Sequence, residues 1–216
     1  MDKKSDLKTG TTTVGIIGKN IVILAADMQA TMGNLSYDEE SPKLYKITEH
    51  IGLTNAGNVG DSLRVIRFLR AEAEFYETER DVRMSPKAMA TFLSNILNAN
   101  RYYPYIAQFI LGGNKEKPQL FELTPYGGIL ERSTYAVSGS GTTMALSVLD
   151  QQYKKDLCEK DAIKLAVTAI TASKRRDVFT GGKSISVMLI KPNEIQELKE
   201  SEVEKYIDAE KKRLAQ

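Results

Sequence analysis

The apolar pattern of the chain begins with two runs typical of strands, separated by a two-residue turn. Residues 11–17 and 20–26 are rich in β-branched side chains, and Gly18 and Lys19 lie between them. Such runs around a short turn are typical of a β-hairpin. Residues 44–47 and 51–56 repeat the pattern and predict a second hairpin. Two antiparallel strand pairs are therefore expected before the first helix.

Helical periodicity follows the second hairpin. Apolar residues spaced by four and three positions define one face of a long helix. These residues are Val59, Leu63, Ile66, Leu69, Ala73 and Tyr76. Ser85 followed by Pro86 is typical of an N-cap with proline at the first helical position, so a second helix is expected to begin there. Its apolar residues are Met89, Phe92, Leu93, Ile96 and Leu97. We expect the two helices to pack as a pair.

The second half of the chain has a similar order of strands and helices. The pattern predicts strands over residues 105–111, 119–123 and 129–137, helices over 142–153 and 160–175, a strand over 184–190 and a charged helical stretch over 194–214. Hairpin-linked strands with helices gathered in pairs favour antiparallel sheets covered by helical layers over alternating βαβ units. The predicted fold class is therefore α+β.

Composition excludes several functional classes. A length of 216 residues fits one ordinary domain. The 30 basic and 28 acidic residues leave a net charge of +2, so the chain lacks the basic field of a purely electrostatic nucleic-acid binder. No long uncharged apolar run occurs, so we expect no membrane span. Residues 1–10 are polar and do not resemble a secretory signal.

The single cysteine and single histidine offer little for metal or redox chemistry. Cys158 cannot form an internal disulfide, and His50 adds too few ligands for a structural zinc site, so no metal or other cofactor is expected. A reduced, cytoplasmic compartment fits this usage best. We interpret Cys158 as an inert filler thiol and His50 as a solvated residue in a turn between strands. Any catalysis then needs a proton acceptor outside a Ser–His pair.

A glycine-rich loop is the first candidate for chemistry. Residues 138–143, Ser-Gly-Ser-Gly-Thr-Thr, lead from a predicted strand into a predicted helix, where backbone N–H groups could bind an anion. The loop lacks the Lys-Ser/Thr ending of a nucleotide P-loop and the spacing of a dinucleotide-binding turn. Taken alone, it is compatible with either a plain tight turn or a ligand-binding loop.

The border between Gly10 and Thr11 is the second candidate. A threonine hydroxyl needs a base, and the threonine's own α-amino group becomes one once the chain begins there. The reference pKa of that amine is about 7.7 to 8.0, and a nearby lysine ammonium lowers it by like-charge repulsion. Lys43 stands at the start of a predicted strand and is the candidate lysine. Glycine at position 10 leaves the bond before Thr11 open to attack by its hydroxyl.

Six motifs occur in a defined order and spacing. They are Gly10-Thr11-Thr12-Thr13-Val14-Gly15, Ala26-Asp27, Lys43, Asn55-Ala56-Gly57-Asn58-Val59-Gly60-Asp61, Ser138-Gly139-Ser140-Gly141 and Arg176-Asp177. Together they resemble the catalytic β subunits of archaeal-type 20S proteasomes, over residues 10 to about 190. The resemblance implies an N-terminal-nucleophile hydrolase: a four-layer α-β-β-α sandwich of two antiparallel sheets covered by helix pairs.

The resemblance also implies roles for individual residues. Thr11 matches the nucleophile and, through its freed amine, the general base. Lys43 matches the lysine that tunes this amine, and Asp27 matches the carboxylate that orients and charge-balances Lys43. The backbone N–H of Gly57 matches the oxyanion donor.

Further residues match the supporting positions of the family. Ser140 and Asp177 match the pair that holds the Thr11 amine and a water molecule. Thr180 stands where the family usually has serine; it keeps the hydroxyl and adds a methyl group. The pocket for the residue before the scissile bond corresponds to Ala30, Ser41, Asn55 and Val59. Its apolar walls suit leucine, tyrosine or phenylalanine, and an Asn55 amide in need of a hydrogen-bond partner favours tyrosine.

Maturation and assembly are implied in the same way. Residues 1–10 are expected to be a propeptide removed by self-cleavage at Gly10-Thr11, leaving residues 11–216 as a single catalytic domain. The mature subunit is expected in homo-heptameric β rings stacked within a barrel with α-subunit rings. A regulatory ATPase would act through the α ring, and unfolded polypeptides would be the substrates of this threonine endopeptidase.

Two alternatives remain at this stage. The chain could be a structural ring subunit of the same fold without activity, but packing alone gives no reason for Thr11, Asp27 and Lys43 to occur together. It could instead be a ligand-binding α+β domain that uses residues 138–141. That reading leaves the Gly10-Thr11 border unexplained. N-terminal sequencing of the assembled protein separates the three hypotheses.

Overall fold

The computed structural model describes residues 10–214. Of the expected propeptide, only Gly10 belongs to the described part, and residues 1–9 lie outside it. The first half of the described chain contains β1 (Thr12–Gly18), β2 (Ile21–Asp27), β3 (Ala30–Met32), β4 (Leu35–Asp38), β5 (Leu44–Thr48), β6 (Ile51–Gly57), α1 (Val59–Arg80) and α2 (Pro86–Ala99). The second half contains β7 (Ala107–Asn114), β8 (Pro118–Leu123), β9 (Ile129–Arg132), β10 (Tyr135–Gly139), α3 (Thr142–Gln152), α4 (Glu159–Arg176), β11 (Ile185–Lys191), β12 (Glu194–Glu197) and α5 (Glu200–Leu214).

The strands form two five-stranded antiparallel sheets. The first sheet has the order β10-β1-β2-β11-β12, and the second has the order β5-β6-β7-β8-β9. β3 and β4 pair with each other apart from both sheets. The prediction of an α+β protein with antiparallel sheets is confirmed. No helix within residues 10–214 is long and apolar enough to cross a membrane.

Three clusters of buried apolar side chains hold these elements together. One cluster draws on both sheets and consists of Val22, Leu24, Ile110, Leu120, Ala136, Met188 and Ile190. A second lies between the first sheet and α3 and α4, and a third between the second sheet and α1 and α2. Each fully buried side chain of this kind contributes roughly 1.5 to 3 kcal/mol, so the sheets and helices depend on one another for stability.

Local signals explain where α2 begins. The Ser85 side chain accepts a hydrogen bond of 3.2 Å from the backbone N–H of Ala88, and Pro86 is the first helical residue. The serine satisfies a backbone donor that has no partner inside the helix, and proline has no N–H to satisfy there. The predicted start of this helix is confirmed.

The expected apolar face of α1 was partly wrong. Val59 is 47% exposed and Leu63 is 40% exposed, although both were expected in the core. The buried residues of α1 are Ser62, Val65, Ile66, Leu69 and Ala73. Ser62 rather than Leu63 therefore faces the interior, where its hydroxyl has hydrogen-bonding partners in Asn55 and Asn58.

Two predicted segments are divided in the structure. Residues 129–137 form β9 and β10, which belong to different sheets, because the chain crosses between the sheets around residues 133–134. The stretch 194–214 begins as β12 and becomes helical only at Glu200. Asn193 has φ of +57°, a left-handed conformation that asparagine tolerates, and this turn lets β12 pair with β11. The β3–β4 pair was not predicted.

The environments expected for His50 and Cys158 were wrong. His50 is only 1% exposed, and its Nε2 lies 2.9 Å from the carbonyl oxygen of Met84. The turn that carries His50 is covered by the segment before α2, so the imidazole is buried rather than solvated. Cys158 is exposed at the N-cap of α4, where its Sγ contacts Asp161, so it fills no core space.

The buried imidazole predicts a pH dependence of stability. Burial lowers the pKa of His50 below its usual 6.5. The hydrogen bond to Met84 and the charge of Glu77 oppose this shift, and the charges of Arg83 and Lys115 add to it. The unfolded chain therefore binds the proton more readily, and the free energy of unfolding falls as pH drops below about 6.5. Urea unfolding of the wild type and His50→Gln, at about pH 7.5 and about pH 5.5, should give a smaller drop for the variant. An equal drop in the free energy of unfolding for both proteins would show that His50 does not cause this pH dependence.

Candidate active site

Thr11 lies immediately before β1, beside the end of β10. Thr12 pairs with Gly139 across these strands. Gly139 has φ of +99°, and a Cβ atom at this position would lie 2.1 Å from the carbonyl oxygen of Thr11. Glycine at 139 is therefore required by the close approach of the Thr11 backbone. This approach brings the next residue, Ser140, to Thr11.

Ser140 joins Thr11 to Asp177. The backbone N–H of Thr11 donates a hydrogen bond of 3.1 Å to Ser140 Oγ, which lies 2.5 Å from Asp177 Oδ2. Ser140 Oγ is also 3.1 Å from the carbonyl oxygen of Thr11, but its single proton is better used on the carboxylate, since charge-assisted hydrogen bonds are the stronger ones. Asp177 is the C-cap residue immediately after α4, so this helix positions the carboxylate.

Thr180 contacts the same carboxylate from the following turn. Its Oγ1 donates a hydrogen bond of 2.5 Å to Asp177 Oδ2 and lies 2.7 Å from Thr12 Oγ1. Because a hydroxyl has one proton, Thr12 is the donor in the second bond. Thr180 therefore keeps the hydroxyl function of the serine expected at this position, and its side-chain bonds go to Asp177 and Thr12 rather than to Thr11.

Asp27 and Lys43 form a buried ion pair. Asp27 ends β2 and is fully buried, and its Oδ1 lies 2.7 Å from Lys43 Nζ. Lys43 precedes β5 and also donates to the carbonyl oxygen of Gln29 at 2.7 Å. Burial lowers the pKa of Lys43; the charge and hydrogen bond of Asp27 oppose this, as does Asp177, while Lys174 lowers it further. The net effect is that the Lys43 ammonium loses its proton more easily than a lysine in water does.

The remaining bonds of Asp27 come from backbone N–H groups. Thr12 N–H donates to Oδ1 at 2.9 Å, while Gln29 and Gly181 donate to Oδ2 at 3.2 and 2.9 Å. These donors replace the hydrogen bonds to water that the buried carboxylate loses. Asp27 thereby links the start of β1, Lys43 and the turn after α4.

A cavity of about 240 Å³ opens beside Thr11 and Lys43. It is lined by Gly10, Thr11, Gln29, Ala30, Thr31, Met32, Tyr37, Ser41, Pro42, Lys43, Asn55, Gly57, Asn58, Val59 and Gly60. The four residues expected to form a substrate pocket, Ala30, Ser41, Asn55 and Val59, all line it. Sequence reasoning missed Met32 and Tyr37, which the β3–β4 pair brings to its wall. Their only signal was apolar character shortly after the Asp27 strand.

Asn55 differs from the expectation of an amide without a protein partner. Its side chain is buried, and Oδ1 lies 2.5 Å from Ser62 Oγ, which also lies 2.7 Å from the carbonyl oxygen of Asn58. The amide is thus paired with α1 at one end. The NH₂ group of the amide is therefore the group that remains for a molecule in the cavity, which Asn55 lines.

Gly57 supplies only backbone to this cavity. Its φ of +148° disfavours other residues, and a Cβ atom there would lie 2.1 Å from the carbonyl oxygen of Ile106. Glycine is therefore required at the end of β6, where the chain turns into α1. The backbone of this turn faces the cavity that holds Thr11.

The arrangement places Thr11 and the Lys43 ammonium at one cavity, and the buried Asp27 carboxylate pairs with Lys43 without lining the cavity itself. These are the parts of a site in which a hydroxyl attacks a carbonyl carbon with nearby charge to assist it. Among residues 10–214, no group of three or more histidine, cysteine, aspartate or glutamate side chains could hold a metal ion. One further charged group near Asp27, Lys174, escaped sequence reasoning because it lies in a run of basic residues typical of a solvated helix end.

Comparison with known proteins identifies the class. The family model described as Proteasome subunit matches residues 7–190, and the chain belongs to this proteasome subunit family. It is similar to archaeal proteasome β subunits. It is 45% identical over 204 residues to "Proteasome subunit beta 2" of Pyrococcus furiosus, covering 94% of this chain and 98% of that protein. It is 43% identical over 205 residues to "Proteasome subunit beta" of Methanocaldococcus fervens, covering 94% and 91%.

Proposed function

We propose that this chain is a catalytic β subunit of a proteasome core, a threonine endopeptidase that cleaves unfolded polypeptides with Thr11 as nucleophile. The observation that carries the proposal is the cavity shared by Thr11 and Lys43, with Asp27 paired to Lys43 at 2.7 Å beneath it. Membership of the proteasome subunit family and the similarity to archaeal β subunits support it. A purely structural subunit has no need of this buried ion pair.

Maturation would begin at the Gly10-Thr11 bond. The Thr11 hydroxyl attacks the Gly10 carbonyl carbon, a C–O bond forms, and the C–N bond breaks to leave an ester and a free α-amine. Water then hydrolyses the ester, which releases residues 1–10 with a C-terminal carboxylate. Gly10 packs closely against Phe179, because a Cβ atom on Gly10 would lie 1.7 Å from Phe179 Cβ, so glycine is the residue that fits immediately before Thr11. The mature catalytic domain is then residues 11–216.

In turnover the freed amine would act as the general base. It takes the proton of the Thr11 hydroxyl as the oxygen attacks the substrate carbonyl, and it later donates a proton to the leaving amine. The Lys43 ammonium favours the neutral amine by like-charge repulsion and stabilises negative charge that develops at the hydroxyl oxygen. The Gly57 N–H binds the oxyanion, while Ser140 and Asp177 hold the amine and the hydrolytic water; Thr180 supports Asp177.

Assembly completes the proposal. The chain has the four-layer α-β-β-α sandwich of N-terminal-nucleophile hydrolases and forms homo-heptameric β rings within a barrel capped by α-subunit rings in the cytoplasm. A regulatory ATPase acts through the α ring. The apolar cluster between the two sheets supports the sandwich. Large exposed apolar residues support the assembly; they include Phe68 and Phe75, seven positions apart and so on one face of α1, and Tyr102 and Tyr103 after α2.

Assembly predicts a difference between the chain alone and the chain produced with an α-type partner. Alone, it should stay monomeric or incompletely assembled and largely begin at Met1. Co-expression should give a particle of several hundred kilodaltons whose β chains begin at Thr11 and which cleaves unfolded but not folded protein. Size-exclusion chromatography, intact mass and peptide hydrolysis measure these outcomes. Full activity from an isolated monomer would contradict the assembly, and an assembled but inactive wild type would favour the structural subunit.

The pocket predicts a preference that depends on Asn55. Asn55→Leu should lower the ratio of kcat/KM for tyrosine to that for phenylalanine before the scissile bond by roughly 2- to 10-fold, the worth of one hydrogen bond. Ser62 keeps the Asn58 carbonyl as a partner in this variant. Fluorogenic peptides that differ only at this residue measure the ratio, and the leucine-to-phenylalanine ratio is the internal control. An unchanged tyrosine-to-phenylalanine ratio means that Asn55 does not read the substrate.

A further inference from the structure

Lys174 is the only member of the basic run at the end of α4 that turns inward. Arg175 and Arg176 are exposed, whereas Lys174 is half-buried. Its Nζ donates hydrogen bonds to the carbonyl oxygens of Gly182 at 2.7 Å and Ser184 at 3.5 Å. The sequence alone indicates a solvated run, so the structure separates Lys174 from its neighbours.

The segment that Lys174 holds is the one that binds Asp27. Within residues 180–184, the backbone N–H of Gly181 donates to Asp27 Oδ2 at 2.9 Å, and the Gly181 carbonyl accepts from the N–H of Met28 at 3.2 Å. Lys43 occupies the other carboxylate oxygen, Oδ1, at 2.7 Å. The position of Asp27 therefore depends on this segment, and Lys174 anchors the segment to α4.

Lys174 also places a second positive charge near the ion pair. Burial lowers the pKa of Lys174, and the charge of Lys211 on α5 lowers it further, whereas Asp27 and Glu39 raise it. In return, the charge of Lys174 lowers the pKa of Lys43, acting with burial and against Asp27 and Asp177. Asp27 thus lies in the field of two ammonium groups, of which only Lys43 touches it.

We propose that Lys174 is a positioning residue of the peptidase site, which anchors residues 180–184 so that Gly181 holds Asp27 against Lys43. This inference rests on the proposed function. Lys174 does not touch the cavity that contains Thr11. Lys174 acts through residues 180–184, which it anchors, and through its charge, which lowers the pKa of Lys43. The site therefore requires a cation that donates hydrogen bonds at this position.

The pH profile of kcat/KM tests this role. Lys174→Met removes the anchor and the charge, so kcat/KM should fall by roughly 10-fold. We assign the alkaline limb to loss of the Lys43 proton, and this limb should move to higher pH by on the order of half a unit, because a nearby positive charge has gone. Lys174→Arg keeps the charge and the donors and should keep the limb in its wild-type position. Both are measured on particles assembled with the α-type partner.

A matched control distinguishes the loss of a charge close to Asp27 and Lys43 from the loss of any positive charge on α4. Arg175→Met removes one positive charge from the same helical turn, but from its exposed side, and should keep the wild-type profile. Intact mass and hydrolysis by wild-type particles test the proposed function independently of Lys174. With an active wild type, a Lys174→Met profile identical to it overturns the inference. Lower activity with an unmoved alkaline limb also overturns it, since a merely structural lysine would behave in that way.

Discussion

Thr11→Ala is expected to lose peptide hydrolysis by about 10⁴-fold or more, because it removes the oxygen that attacks the substrate carbonyl. The same change should block cleavage of the Gly10-Thr11 bond, since the attacking atom is the same. The wild-type chain in assembled particles should begin at Thr11, and the variant should still carry residues before it. Intact mass spectrometry and fluorogenic peptide hydrolysis on the same particles measure both effects.

Thr11→Ser is the matched control for this prediction. It keeps a hydroxyl at the same position next to Ser140, so measurable cleavage of small peptides and a chain beginning at residue 11 should persist. A wild-type chain that begins at Met1 in active particles would rule out Thr11 as an N-terminal nucleophile. So would a Thr11→Ala variant that hydrolyses peptides at the wild-type rate.

Lys43→Ala is expected to lower kcat/KM by roughly 10²- to 10⁴-fold, the range of general-base assistance. The freed Thr11 amine loses its like-charge neighbour, and Asp27 loses the partner at 2.7 Å. The variant is expressed from a gene that begins Met-Thr11, so that removal of the initiator methionine exposes the amine. Hydrolysis then reports turnover rather than failed maturation.

Stability must be separated from chemistry in this variant. Removing one member of a buried ion pair costs about 3 to 5 kcal/mol, so thermal unfolding is measured on the same particles. Lys46→Ala is the matched control, because Lys46 lies on the neighbouring strand β5 and pairs with Glu49 at the surface. It should change neither stability nor turnover appreciably. A folded Lys43→Ala particle as active as the wild type would show that Lys43 has no role in the reaction.

Local signals were sufficient for much of the architecture. Gly18 and Lys19 between two β-rich runs predicted the first hairpin, and Ser85 with Pro86 predicted the start of α2. These features depend on residues close in sequence, whose turn and capping chemistry acts wherever the segment lies. The division of residues 129–137 into β9 and β10 could not be predicted in this way, because sheet membership is decided by partner strands distant in the chain.

The candidate active site was also predictable only in part from the sequence. Motifs in order and spacing were sufficient to select Thr11, Asp27 and Lys43 as candidates. They could not specify that Thr180 bonds to Thr12, because that contact joins residues 168 positions apart. They also could not distinguish Lys174 from the exposed arginines beside it, since consecutive residues of a helix point in different directions and the packing of α4 decides which of them faces the interior.

By itself, the sequence determined the α+β class, most of the helices and strands, and the residue types that carry the chemistry. Only the tertiary structure decided that His50 is buried, that α1 turns Val59 outward, and which atoms of Asp27 meet Lys43 and Gly181. The reason is physical. Propensity, capping and periodicity act over a few neighbouring residues, whereas burial and ion pairing are set by the packing of two sheets and their helices, which brings distant residues together.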